Sequence, residues 1–493
     1  MTNALPAWVH SRTMAACVIL SFALVWRMST FGNPTLHVDE EFYFLVGQRM
    51  HEGLLPYVDI WDRKPFGLFV IYYAIAAISF EPAAYQIAAS VCAAATGFVI
   101  YLTARIWTRA LGAMFAALVY IAVINVTGGN GGQAPVFHNL PVAMSALLLL
   151  TWYRDGSARP DGKVWGAMLA LGIALTIKQT VVFEAAFMGL FVLWALRARG
   201  ASMRLLGLTA VRAMAIGALP TLCCLGWFAF QGQLDVYWQA TVSSNANKSY
   251  PGPLIMAGRA LVQILPIMPV LALTALSYIR SSPGFRDCRP FLNGWLVAAA
   301  LSVVIVPNFY YHYLLPLWVP AAVIASEFLG RRIVGPLSGV ACIAYTAFYA
   351  NPFAFEWTRI SRADMRAATD LIEEMDEGDS LLVFEGPTAL YSQTGRKLFA
   401  PLVFPTHLNL ASERDVSTVQ TMTAVEATLA QWPDVIVMTE KSRSNPANLE
   451  TWDAVRAHAD KNCAVRRDVI IGEIYRRWQF AIYARCSLAS EDR

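Results

Sequence analysis

The sequence predicts an α-helical polytopic membrane protein, with about eleven transmembrane helices and a C-terminal α/β domain outside the cytoplasm. First, 57% of the 493 residues are hydrophobic and only 15% are charged, whereas soluble proteins carry about 25% charged residues. Second, the apolar residues form long runs within residues 1–350, while residues 355–493 have the composition of a soluble domain. Third, the basic residues are divided unequally between alternate loops. We therefore expect a transmembrane module over residues 1–354 and a soluble extracytoplasmic domain over residues 355–493.

A helix that crosses a bilayer needs about 20 largely apolar residues. The first candidate run is long, has no A-x-A cleavage pattern and precedes many further runs, so we interpret it as a retained helix rather than a signal peptide. The candidate spans are residues 13–31, 84–104, 110–127, 136–153, 164–178, 180–196, 213–231, 260–279, 291–306, 314–330 and 333–350.

A further apolar run, residues 66–80, is short and directly follows Pro65, so it is either a twelfth span or a helix lying at the interface. The charges of the loops decide between the two. With an interfacial helix and a cytoplasmic N-terminus, fourteen lysine and arginine residues fall in cytoplasmic loops, and the outer loops after the first hold only Lys178, Lys248 and Arg259. This distribution obeys the positive-inside rule, which a twelfth span would invert. We therefore expect residues 32–65 to form the first outer loop and the C-terminal domain to lie on the same face.

The C-terminal domain alternates helical and strand patterns. Residues 361–376 have the pattern of an amphipathic helix, and residues 416–431 also favour a helix. Buried strands are predicted at residues 380–384 and 435–438, and a terminal strand pair at residues 464–471 and 480–485. These patterns predict a small α/β domain of about four strands.

Charged residues concentrate in the first outer loop, whose residues 37–65 read HVDEEFYFLVGQRMHEGLLPYVDIWDRKP. A transferase that uses a lipid-phosphate donor needs acids beside bases at the membrane surface, because a carboxylate takes the proton from the acceptor hydroxyl and cations stabilise the departing phosphate. Acids at the start of a helix also suit its dipole, so an ordinary polar loop is the alternative. The loop holds the acids Asp39, Glu40 and Glu41, and then Tyr57, Asp59, Trp61, Asp62, Arg63 and Lys64.

The loop resembles that of the membrane glycosyltransferases of the C superfamily (GT-C), and especially the branch with the protein O-mannosyltransferases and the lipid A aminoarabinose transferase. The shared order is D-E, an aromatic-rich helix, G-x-x-P-Y-x-D-x-W-D-x-K-P and then an apolar helix. Three further stretches resemble this branch: Thr176–Thr180 (TIKQT), His312–Pro316 (HYLLP) and Leu390–Lys397 (LYSQTGRK). The second outer loop, Gly128–His138, departs from the family because it lacks the acid often found there.

The resemblance implies roles for individual residues. Asp39 matches the general base, Glu40 matches its acidic partner, and Lys64 matches a basic residue that faces the donor phosphate. We add Arg63 as a candidate phosphate ligand. The candidate substrate-binding residues of the loop are Tyr57, Asp59, Trp61 and Asp62.

Three residues outside the first loop are further candidates. Lys178, at the outer end of a span, either contacts the phosphate or anchors the helix at the interface. Glu184 lies six residues deeper, and ionisable residues at depth are functional candidates; the alternative is a structural pair with Lys178. His312 is flanked by tyrosines, and it either contacts the phosphate or is simply solvated.

These residues predict an inverting glycosyltransferase of the cell (inner) membrane. We expect it to move a sugar from a polyprenyl-phosphate donor to the hydroxyl of an envelope glycan, lipid or protein. Basic side chains can neutralise a single departing phosphate, so no metal is required, and neither the mild net charge of +4 nor any motif indicates nucleic acid. The alternatives are a transporter or flippase, and a non-catalytic protein that binds a lipid-linked sugar.

The C-terminal domain contains two cysteines, Cys463 and Cys486. They lie near the ends of the two final strand segments, and antiparallel pairing of those segments would bring the ends together. An extracytoplasmic compartment is oxidising, so we expect a disulfide, with two free buried thiols as the alternative.

Overall fold

The computed structural model describes residues 11–245, 252–306, 308–473 and 476–486; Lys248, which enters the charge count above, lies outside them. The chain divides into two compact units. Unit 1 consists of residues 1–29, 86–224 and 252–353, and unit 2 of residues 30–85, 225–251 and 354–493. The first loop therefore belongs to the same compact unit as the C-terminal residues.

The helices and strands, in chain order, are α1 (Arg12–Arg27), α2 (Val38–His51), α3 (Phe66–Ala76), α4 (Pro82–Ala104), α5 (Ala110–Val126), α6 (Ala134–Arg154), α7 (Gly162–Leu175), α8 (Val182–Ala198), α9 (Met203–Phe230), α10 (Leu234–Thr241), α11 (Pro253–Leu276), α12 (Pro283–Val304), α13 (Trp318–Leu329), α14 (Val334–Ala350), α15 (Phe355–Met375), β1 (Leu381–Val383), α16 (Ala389–Thr394), α17 (Pro405–Asn409), α18 (Thr421–Leu429), β2 (Val435–Met438), α19 (Leu449–Asn462), β3 (Val465–Glu473) and β4 (Arg476–Ala484).

Each of the eleven predicted spans overlaps a helix. Within the described ranges, seven helices are long and apolar enough to cross a membrane, while α3, α5 and α7 are shorter apolar helices. The predicted number of eleven crossings, and the interfacial position of residues 66–80, therefore stay predictions. The seven long segments are Arg12–Thr30, Pro82–Ala104, Ala134–Arg154, Gln179–Ala198, Met203–Phe230, Leu254–Leu276 and Tyr311–Leu329.

Helix α5 lies at the centre of unit 1, where it packs against α1, α13 and α14. Its residues Val119–Ile124 are all completely buried. The helices approach closely because glycines face each other: a Cβ on Gly112 would lie 2.5 Å from the Cα of Gly330. A side chain larger than hydrogen at Gly112 would therefore force α5 and α13 apart.

Unit 2 joins the first loop to a four-stranded sheet with strand order β1-β2-β4-β3. Strands β1 and β2 are parallel, and β4 is antiparallel to both β2 and β3. This agrees with the expected small sheet and terminal strand pair. Helix α15 packs on β3, while α2 and α3 form a tight hairpin in which a Cβ on Gly47 would lie 2.6 Å from the carbonyl carbon of Tyr72.

The C-terminal elements differ in detail from the predicted ones. The helix predicted at residues 416–431 is the shorter α18, because Ser417 forms a turn by accepting the backbone N–H of Val419. Helix α19 was not predicted. The expected Cys463–Cys486 disulfide is present, and the register that pairs Val465 with Ala484 brings the two cysteines together.

Candidate functional site

Asp39 lies in the first turn of α2, and His37 caps that helix. The Nδ1 atom of His37 accepts the backbone N–H of Asp39 at 3.3 Å and lies 3.8 Å from Asp39 Oδ2. A histidine side chain in the capping position satisfies one of the helix's free N–H groups. The Asp39 side chain is 17% exposed, so its carboxylate is held in place and still reachable.

The electrostatics around His37 connect the two charged groups of the loop. Burial is the main cause that lowers the pKa of His37; the charge of Lys64 lowers it further, and the charge of Asp39 opposes both. Asp39 and Lys64 thus both act on His37. The imidazole is neutral near pH 7, which fits its role as a hydrogen-bond acceptor.

The next two acids of α2 are buried. Glu40 is completely buried and Glu41 is 6% exposed. Burial, and after it the charge of Glu473, raises the pKa of Glu41 well above its usual range, although its Oε2 accepts the backbone N–H of Ala389 at 3.5 Å. Three consecutive acids therefore have three different environments.

Asp62, Arg63 and Lys64 are held by contacts within unit 2. The buried Asp62 accepts the backbone N–H of Lys64 at 3.2 Å, and its Oδ1 lies 3.9 Å from Lys64 Nζ. Lys64 Nζ also lies 5.3 Å from the ring centre of Tyr43. Arg63 forms an ion pair with Glu413, so its charge is already balanced, whereas the contact of Lys64 with Asp62 is longer, at 3.9 Å.

The aromatic candidates of the loop, Tyr57 and Trp61, make packing contacts and a hydrogen bond within unit 2. Tyr57, at φ 73°, donates its hydroxyl to the Lys64 carbonyl at 2.7 Å and packs edge-on against Phe228. Trp61 is buried against His407, with ring centres 4.8 Å apart. Burial lowers the pKa of His407 to about 4. The exposed Asp59 accepts the backbone N–H of Leu55 at 2.6 Å.

Unit 1 brings together Lys178 and His312 on the ring of Tyr313. Lys178 Nζ lies 4.8 Å from the ring centre of Tyr313, and His312 packs edge-on against the same ring at 4.7 Å. A cation–π contact with Tyr313 helps to hold the Lys178 ammonium group in place. The two candidate phosphate ligands outside the first loop are therefore neighbours.

Glu184 has a structural partner. It is buried in α8, and its Oε1 accepts the indole N–H of Trp295 at 2.7 Å. This contact joins α8 to α12. The structure thus offers a packing role for Glu184.

The sequence reasoning missed two residues. His37 lies within the loop, two residues before Asp39. Its position as a polar residue directly before a helix could have identified it as a capping residue. The completely buried Arg27 donates to the carbonyls of Gly129 and Gly131, the latter at 2.8 Å. In the sequence, Arg27 could have been identified as a functional candidate because it is a charged residue inside an apolar run. The loop that contains Gly129 and Gly131 is thus held by an arginine.

The chain resembles solved membrane glycosyltransferases. ArnT from Cupriavidus metallidurans matches in its form bound to undecaprenyl phosphate (15% identity, TM-score 0.55, 97% of this chain and 98% of that chain) and in its apo form (13%, 0.59, 96% and 98%). The apo oligosaccharyltransferase of Archaeoglobus fulgidus also matches, with 12% identity, TM-score 0.55, and 87% and 70% coverage.

The chain has the GT-C fold. At these identities the likeness concerns the fold, and with the apolar helices it identifies a membrane protein. A family model described as the N-terminal domain of the competence-induced protein Ccs4 matches residues 8–234 of the chain. No curated protein matches the sequence.

Proposed function

We propose that the chain is an inverting membrane glycosyltransferase that takes a sugar from a polyprenyl-phosphate donor. The observation that carries the proposal is Asp39, a reachable carboxylate fixed beside His37 at the start of α2 in a chain with the GT-C fold. A reachable carboxylate that is positioned by a neutral neighbour is suited to accept a proton.

The reaction balances with Asp39 as the base. The acceptor hydroxyl gives its proton to the Asp39 carboxylate, and its oxygen bonds to the anomeric carbon. The bond between that carbon and the phosphate oxygen breaks on the opposite face, so the configuration inverts. The bonding electrons leave with the polyprenyl phosphate.

The candidate ligands of the departing phosphate are Lys64 in unit 2 and Lys178 and His312 in unit 1. Cations are most useful where negative charge develops, and Lys64 and Lys178 both carry ammonium groups. Arg63 takes a smaller part than the sequence predicts, because Glu413 already neutralises it. We assign Glu40 to the support of Asp39 rather than to contact with substrate, since it is completely buried.

The proposed setting is the outer face of the cell (inner) membrane, with the C-terminal domain outside the cytoplasm and an envelope glycan, lipid or protein as acceptor. ArnT has been seen with undecaprenyl phosphate bound, which supports a lipid-phosphate donor here. The proposed mechanism needs no metal. His37 and Asp39 nevertheless place a nitrogen and an oxygen donor 3.8 Å apart, so a chelator is the direct test: turnover should persist in EDTA.

The decisive experiment compares Asp39→Asn with the wild type in a strain that lacks the chromosomal copy. Mass spectrometry of envelope glycans from the deletion strain identifies the missing sugar, and complementation then gives the activity. Asn cannot accept the proton, so we expect a loss of about 10²–10⁴-fold, the usual cost of a missing general base. Native mass spectrometry should show undecaprenyl phosphate still bound to the purified variant.

The matched control is Asp235→Asn. Asp235 is also an acid in the first turn of a helix, and it is exposed. It should complement fully. Near wild-type glycan levels with Asp39→Asn would remove Asp39 from the catalytic role, and an unchanged envelope in the deletion strain would favour the transporter or binding-protein alternatives.

A further inference from the structure

Helix α2, which carries Asp39, is held along one face by the C-terminal segment of unit 2. The contacting residues Glu41, Gln48 and Arg49 are spaced i, i+7 and i+8, which places them on the same side of a helix. All three are buried. Their partners lie in residues 389–396, at α16 and just after it.

Arg49 makes the strongest of these contacts. Its Nη2 donates to the carbonyl of Arg396 at 2.8 Å and to that of Tyr391 at 3.2 Å, while its Nη1 bonds the carboxylate of Glu52 at 2.7 Å. The guanidinium thus joins the end of α2 to two backbone carbonyls about 340 residues away in the sequence. Only a planar fork of several donors can make these bonds together.

Two further contacts continue the attachment. Gln48 Oε1 accepts the hydroxyl of Ser392 at 2.6 Å. Before the helix begins, Thr35 donates its hydroxyl to the carbonyl of Gly472, at the end of β3, also at 2.6 Å. The helix is therefore attached to the C-terminal part of unit 2 both before its first turn and near its last.

We propose that Arg49 is a positioning residue for Asp39, and that the C-terminal domain sets the position of the base through it. This inference rests on the proposed function. Asp39 lies ten residues before Arg49, about 15 Å along the helix, so Arg49 acts through the helix and does not touch substrate. A base displaced by about 1 Å loses on the order of 10²-fold in rate.

The test uses Arg49→Lys in the full-length protein. Lysine keeps the charge, but its single nitrogen cannot occupy the positions of both Nη1, which bonds Glu52, and Nη2, which bonds the two carbonyls. We expect glycan transfer to fall at least ten-fold, while undecaprenyl phosphate binds as in the wild type. Hydrogen exchange of the amides in residues 38–45 should become at least ten-fold faster, with exchange in β2 and β4 unchanged.

Ser392→Ala provides a milder second variant, which loses only the bond to Gln48 and should move both readouts in the same direction by a smaller factor. The matched control is Arg199→Lys, because Arg199 likewise donates to two backbone carbonyls, those of Tyr153 and Ser157, in unit 1. It should leave the exchange of α2 unchanged.

The outcomes separate the two ideas. Full activity of Asp39→Asn would overturn the proposed function, whatever Arg49 does. An inactive Asp39→Asn together with a fully active Arg49→Lys and unchanged exchange in residues 38–45 would overturn the positioning role alone. The positioning role would also be overturned by a different pair of results: faster exchange throughout β2 and β4 in Arg49→Lys, and wild-type transfer and exchange in Ser392→Ala. Arg49 would then stabilise the fold as a whole rather than position Asp39.

Discussion

Replacing Glu41 with glutamine should stabilise the protein increasingly as the pH rises. Glu41 is buried, and burial together with the charge of Glu473 raises its pKa well above the usual range. The folded protein therefore holds this proton more tightly than the unfolded chain. The stability contributed by Glu41 is complete below its unfolded pKa of about 4.3, and it is lost as the pH rises towards the folded pKa.

The magnitude follows from proton linkage. Each pH unit between the unfolded and the folded pKa of Glu41 lowers the free energy of unfolding by about 1.4 kcal/mol. A rise of two units within that window costs the wild type about 2.7 kcal/mol. Glutamine has no proton to lose, and its amide oxygen can still accept the N–H of Ala389. The free energy of unfolding of Glu41→Gln should therefore not show this decrease with pH.

Thermal unfolding of the purified protein in detergent, from pH 4.5 to pH 7.5, measures this difference. The unfolding temperature of Glu41→Gln should exceed that of the wild type by a margin that widens with pH. Glu385→Gln is the control, because Glu385 accepts hydrogen bonds from Thr439 and from the Arg443 backbone, and the variant should be less stable. A wild-type-to-Glu41→Gln difference that stays constant with pH would refute the reasoning.

Three other expectations concern the disulfide, the topology and a buried acid. Reducing the Cys463–Cys486 disulfide, which joins residues 23 apart, should lower the free energy of unfolding by roughly 3 kcal/mol; free alkylation of both thiols in denatured, unreduced protein would contradict the disulfide. A topology reporter fused after Glu81 should report the outer side and one near Arg109 the cytoplasm, and a cytoplasmic signal at residue 81 would overturn the eleven-span prediction. Glu184→Ala should cost about 1–3 kcal/mol of stability, because it leaves a buried indole N–H without an acceptor, whereas Glu184→Gln should unfold near the wild-type temperature; equal losses in both would contradict the packing role.

Periodicity predicted much of the architecture because it records which side of an element is buried. The strand predicted at residues 435–438 is β2 itself, and the two terminal strands differ from β3 and β4 by a few residues. Helix α19 was not predicted because its sequence, LETWDAVRAHADKN, is largely polar and has few apolar residues to define a buried face. An element of that kind depends on the partners that pack against it rather than on its own pattern.

The candidate site was harder to predict because its contacts join distant parts of the chain. The charges of Asp39 and Lys64 could be read from the first loop, but the partner of Arg63 is Glu413, 350 residues away. Nothing in one sequence marks that pair. The same is true of Glu184, for which the sequence suggested Lys178 and the structure shows Trp295. Local motifs therefore indicated candidate residues, and the fold shows that Arg63 and Glu184 among them already have structural partners.

The geometry of helix α2 favours one of its three adjacent acids, Asp39, as the proposed base. Successive residues of an α-helix point about 100° apart, so Asp39, Glu40 and Glu41 cannot share one environment. Glu40 is completely buried, so it is less accessible to an acceptor hydroxyl than Asp39. Glu41 is buried and accepts the backbone N–H of Ala389, and burial raises its pKa and so favours the protonated form, which cannot accept a further proton. Asp39 alone of the three combines an exposed fraction of 17% with a neutral neighbour, His37, that holds it in position. This difference among the three acids supports Asp39 as the proposed base, while the face that carries Glu41 attaches the helix to the rest of unit 2.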